Sequence, residues 1–266
     1  MPNSAGAQDA EGRYDVRKGA TAYAPIVGAF GALAVPTVTV LFTQPQPEGS
    51  GKLIALACGL LVVAMIGSLT GSIGLAAIGA ERDQTANLPP AVMYTAVPVV
   101  ISLLSVLASF EVLSAVYLPE EKGLFAVTTA VGGLAGCYFT SFTVADSWQS
   151  GPSDPAVRGP WKDTQWVKEK SDAYAKADWL AITSVVPGAV GLVLYLSGFH
   201  VHLTAAGVNW LVGSGLALAM AGTFLGVQRT KHAMEDSKQR GVRWQEAYPT
   251  SVAVGLYTLV LLICLP

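Results

Sequence analysis

The sequence predicts an all-α polytopic membrane protein: a bundle of seven membrane-spanning helices with an additional helix at the membrane surface. Three observations predict it. Hydrophobic residues make up 52% of the chain and charged residues 13%, where an average soluble domain carries about 25% charge. The missing charge is absent from seven long apolar runs and concentrated between them. The basic residues fall almost wholly on alternate connections. A water-soluble helical fold of this size needs charge along the outer face of every helix. Those faces are bare here, so the outer solvent is lipid.

The polar tail Met1–Ala22 mixes basic and acidic residues and does not read as a secretory signal. The first run is Tyr23–Phe42, with Pro36 inside, and a Pro- and Gly-rich turn follows it. The second run, Leu53–Ala80, exceeds the roughly 20 residues that a span needs, so it tilts or projects. Pro89 and Pro90 open the third run, Ala91–Tyr117, where a missing N–H costs little, and Pro98 is expected to kink it. Pro119 to Lys122 turns the chain into the fourth run, Gly123–Ala145.

Residues 146–178 form the one long connection. Its second half, Asp163–Asp178, reads as a helix, with i,i+4 pairs Lys168–Asp172 and Asp172–Lys176. Its tryptophans place it at the membrane surface. The remaining runs are Trp179–Phe199, with Pro187 inside, Ala205–Val227 and Ala247–Leu265. The domain plan is therefore a tail over 1–22, four spans over 23–145, a loop over 146–178 and three spans over 179–266.

Small residues recur at four-residue spacing at Gly67 and Gly71, at Gly132 and Gly136, and at Gly222 and Gly226. Such pairs let helix backbones approach closely, within the bundle or in a homo-oligomer. Spans one to three and five to seven share a loose Pro and Gly pattern, which allows a repeat of three helices on either side of the fourth.

Fourteen of the sixteen Lys and Arg residues lie on the side of the N-terminus and of the two large loops. Only Lys52 and Lys122 lie on the other. The positive-inside rule then makes the N-terminus cytoplasmic and the C-terminus external in a cell membrane. The loops 146–178 and 228–246 are candidate docking sites for a cytoplasmic protein. The net charge of −2, with no basic arm, excludes a general affinity for nucleic acid.

Glu111 is the only charged residue in the seven runs. On a helical wheel it lies opposite a stripe of Thr95, Ser102, Ser105 and Ser109, so the two features face different neighbours. It sits about 10 Å from the middle of its run toward the outer face, inside the hydrocarbon. A carboxylate there is costly and is a functional candidate by default. The structural alternative is a neutral Glu that hydrogen-bonds a neighbouring helix. Ser114 is its neighbour on the wheel, and Thr129, Tyr195 and Tyr257 match it in depth. These five residues form the candidate substrate-binding set for a small-solute or ion transporter or channel-like protein. The alternative function is a non-catalytic membrane scaffold or a subunit of a larger complex.

No cofactor or metal is expected. No His lies within a span, the last run has no Lys, and Cys58, Cys137 and Cys264 lack metal or redox spacing. His200 and His202 share the outer side with Glu48, Glu120 and Glu121, but nothing in the sequence gathers them. No Ser-His-Asp set shares one depth, so no catalytic residue is assigned.

Overall fold

The computed structural model describes residues 16–81, 88–147, 162–232 and 244–266. Among them are seven helices and no strands: α1 (Val16–Thr43), α2 (Gly51–Ala80), α3 (Leu88–Tyr117), α4 (Lys122–Ser147), α5 (Lys162–Leu196), α6 (Ala205–His232) and α7 (Trp244–Ile263). Each contains a stretch long and apolar enough to cross a membrane. Large apolar side chains cover the outside, among them Ile26, Leu33 and Phe42 on α1, Phe139 on α4 and Trp210 on α6. Soluble monomers rarely expose contiguous apolar surface of this kind, whereas lipid accepts it. This is the fold of a multi-pass membrane protein.

Two helices, α1 and α5, begin more than one turn before their apolar runs. Val16 and Ala20 of α1 are buried against Ile78, Leu88, Ala91 and Val92. The Arg17 guanidinium donates to the Glu81 carbonyl at 3.3 Å, which satisfies an open group at the end of α2. The expected tail is therefore helical from Val16 onward. The surface helix expected over Asp163–Asp178 is not a separate element, because α5 runs unbroken from Lys162 to Leu196. No Gly or Pro interrupts the chain before Pro187, so nothing stops one helix from continuing into the next. Its 35 residues rise about 50 Å, against a hydrocarbon core of about 30 Å. Much of the two candidate docking loops, 148–161 and 233–243, lies outside the described residues.

Helix α3 is the hub and packs against α1, α2, α4, α6 and α7. On one side α2 and α6 pack on it and on each other, and α1 lies mainly on α2. On the other side α3, α4, α5 and α7 form a ring in which each helix packs on the next. The diagonal pairs α3–α5 and α4–α7 have no substantial packing. The two helix triplets also differ, because α1 lies on α2 whereas α5 lies on α7 and makes no substantial contact with α6. The parallel repeat is not the architecture.

Proline and glycine decide where the helices meet. Pro98 has no N–H, so the carbonyl of Tyr94 loses its helical donor. Gly222 of α6 packs at that carbonyl, where an added Cβ would lie 2.8 Å from Tyr94 O and 2.9 Å from Pro98 Cδ. The same device recurs in the ring. Pro187 releases the Thr183 carbonyl of α5, and Gly255 of α7 packs directly on it, with Pro187 Cγ 3.0 Å from the added Cβ. Backbone approach of this kind permits Cα–H···O contacts that partly replace the lost bond.

The other glycine pairs also face α3. A Cβ at Gly67 would lie 2.8 Å from the Pro98 carbonyl, and one at Gly71 would lie 2.8 Å from Val99 Cγ2. Beside Gly67, Ser68 donates to Ser102, and Ser102 donates to the Ala64 carbonyl at 2.8 Å. Gly226 faces Thr95, Gly136 faces the Leu103 side chain, and Gly132 leaves an ordinary 3.4 Å to Leu107.

Candidate functional site

The site begins with the end of α5. Gly198 adopts φ +80, a conformation that favours glycine. Its N–H donates to the Tyr195 carbonyl and the Phe199 N–H to the Leu194 carbonyl, both at 3.0 Å. This Schellman pattern ends α5 and turns the chain back. The Val201 N–H then donates to the Ile263 carbonyl of α7 at 2.9 Å. The turn also places His200 edge-on against the Tyr195 ring, with centroids 4.8 Å apart. Tyr195 is thereby held between the end of α7 and the core.

Glu111 is completely buried. The Tyr195 hydroxyl is 3.3 Å from Glu111 Oε1 and 3.2 Å from the main-chain oxygen of Pro266 and donates toward both. A hydroxyl carries one hydrogen. If the Glu111 carboxyl is neutral, it donates to Tyr195 while Tyr195 donates to Pro266, and both contacts are satisfied at once. If it is ionised, the two acceptors share one hydrogen. Because α3 and α5 are diagonal in the ring, the Glu111–Tyr195 contact crosses its interior.

The other members of the predicted set lie elsewhere. The Ser114 hydroxyl donates to the backbone carbonyl of Glu111 at 2.8 Å and so serves the helix. Thr129 donates to the Leu107 carbonyl at 3.2 Å and ties α4 to α3. The Tyr257 hydroxyl is directed at Ser105 of α3 and lies against Gly215 of α6, nearer the middle of the bundle. Both hydroxyls are buried, and neither has a hydrogen-bond partner of good geometry. The serine stripe is thus divided, with Ser102 turned to α2 and Ser105 to α7.

Two features escaped the sequence. The first is a cavity of about 60 Å³ inside the ring, on the side of the α3 N-terminus. Val97 and Val100 of α3, Cys137 and Ser141 of α4, Ser184 of α5 and Ser251 of α7 help to line it. The second is a charged cluster near its rim. Arg229 at the end of α6 pairs with Glu246 in the first turn of α7, and the Tyr94 hydroxyl donates to Glu246 Oε2 at 3.3 Å. Opposite charges at the two ends of the connection 228–246 were the available signal. The cavity had no signal, because its lining is spread over four helices. Among the described residues no three His, Cys, Asp or Glu side chains gather as metal ligands.

The chain matches no protein-family model, no curated protein and no solved structure.

Proposed function

We propose that the protein is a small-solute transporter whose working unit is the ring of α3, α4, α5 and α7. The observation that carries this reading is the division of the ring interior. A cavity occupies one end, and the Glu111–Tyr195 contact bridges the diagonal helices at the other. Such a division suits a unit that is accessible from one side and occluded from the other. Pro98 and Pro187 lie in the diagonal helices at the level of the cavity and supply bends at which the ring can change shape. The charge bias of the connections orients the cavity toward the cytoplasm and Glu111 toward the outside.

A scaffold is the second reading. It is favoured by the complete burial of Glu111 beside a hydrogen-bonding tyrosine, which suits a purely structural contact. Thiol labelling separates the two. In a background free of native cysteines, Ser184→Cys is expected to react with an impermeant reagent added from the cytoplasmic side. A cysteine at His200 is expected to react only from outside. Adding Glu111→Ala and Tyr195→Phe is expected to open a second route, so that Ser184→Cys reacts from outside as well. Labelling that stays one-sided in that variant would favour the scaffold.

A further inference from the structure

The hydroxyl groups that line the cavity have a common polarity. Thr140 donates to the Gly136 carbonyl at 2.7 Å, Ser141 to Cys137 at 2.9 Å and Ser184 to Leu180 at 2.9 Å. Thr250 donates to the Glu246 carbonyl and Ser251 to Leu180, both at 2.7 Å. Each hydroxyl has one hydrogen and two lone pairs, and here every hydroxyl has a backbone acceptor at 2.7–2.9 Å. Ser141 Oγ and Ser184 Oγ stand 3.4 Å apart, where either could donate to the other; with both hydrogens on the shorter 2.9 Å backbone bonds they offer two acceptors side by side. The remaining wall is apolar apart from the weak donor of Cys137, and no charged residue lines it.

We infer that this cavity binds a small uncharged hydrogen-bond donor, a short alcohol or amide of about three heavy atoms, with its O–H or N–H aimed at the Ser141–Ser184 pair. The size follows from the volume of about 60 Å³. A water needs roughly 10–15 Å³ on this measure, and a cavity of about 150 Å³ takes benzene. The charge follows from the lining, because moving an ion into an apolar site without a counter-charge is far costlier than moving a neutral donor. Molecules that only accept hydrogen bonds gain nothing from a wall of lone pairs. The inference names a solute class for the ring and rests on the transport reading. Its test does not involve Glu111, so a failed gate and a failed binding site give different results.

Cys137 lines the cavity and reports its occupancy. In a Cys58→Ala, Cys264→Ala background, the solubilised protein is treated with methyl methanethiosulfonate in the presence of ethanol or acetonitrile. The two probes have the same number of heavy atoms, but only ethanol donates. Ethanol is expected to protect Cys137 at about fivefold lower concentration, the worth of one neutral hydrogen bond. Ser141→Ala with Ser184→Ala is expected to erase that difference while the protein keeps its thermal unfolding midpoint. Equal protection by the two probes, an ethanol advantage that survives loss of both serines, or a Cys137 that does not react in the folded protein would each overturn the inference.

Discussion

Gly222→Leu is expected to leave no folded protein, and Gly222→Ala to cost about 1–3 kcal/mol, the usual penalty for overpacking a well-filled contact. The added Cβ meets a backbone carbonyl and a proline ring, at 2.8 Å from Tyr94 O and 2.9 Å from Pro98 Cδ. Neither can move without shifting α3, and α3 is packed by five other helices. Gly67 is in the same position against the Pro98 carbonyl. Gly132 is the control. Its nearest neighbour is the tip of Leu107 at 3.4 Å, and Ala is favoured over Gly in a helix interior by about 1 kcal/mol. Gly132→Ala is therefore expected to be neutral or stabilising. Thermal unfolding in detergent, with yield after size exclusion, reads all three variants. A Gly222→Leu protein as abundant and heat-resistant as the parent would mean that α6 does not pack on α3 in this way.

The second large effect is expected at Glu111, and it lies in transport rather than in stability. Glu111→Gln retains an amide that donates to Tyr195 while Tyr195 donates to Pro266, the pattern of the neutral acid. The variant is expected to unfold within about 0.5 kcal/mol of the parent, as substitutions that break no contact do. Glu111→Leu leaves Tyr195 with the main-chain oxygen of Pro266 as acceptor. Its cost is expected near the lower end of the roughly 1–3 kcal/mol for a lost buried partner. Gln cannot titrate, so flux of a cavity-sized alcohol or amide coupled to protons is expected to stop in Glu111→Gln proteoliposomes carrying a trapped pH dye. Full coupled flux in that variant would remove Glu111 from the mechanism. A silent Gln together with a strongly destabilised Leu would move the reading to the scaffold.

Depth was legible along the chain and azimuth was not. Glu111 and Tyr195 lie at similar distances from the same ends of their apolar runs, and depth matching brought them together. Tyr257 satisfied the same criterion, but rotation of α7 turns its hydroxyl to Ser105 and Gly215. That rotation is set by contacts elsewhere on the helix, above all Gly255 against the carbonyl that Pro187 releases. The glycine spacings marked close faces, yet did not say which partner each face meets. Nor did they distinguish Gly222, pressed on backbone, from Gly132, which faces the flexible end of a leucine.

The sequence by itself determined the class of the protein and the number of its spans. A helix in lipid satisfies its own backbone, so its existence depends only on consecutive residues and their length against the bilayer. It also singled out Glu111, because a charge in an apolar run is visible without any partner. Tertiary structure alone decided that α3 is the hub and that α5 pairs with α7 rather than with α6. It alone decided that four helices line a cavity while Arg229, Glu246 and Tyr94 gather at its rim. Helices in lipid have no hydrophobic drive to associate, so their neighbours are chosen by close backbone fit and a few interhelical hydrogen bonds. Those contacts join residues far apart in the chain, and each exists only once both helices have been rotated into place.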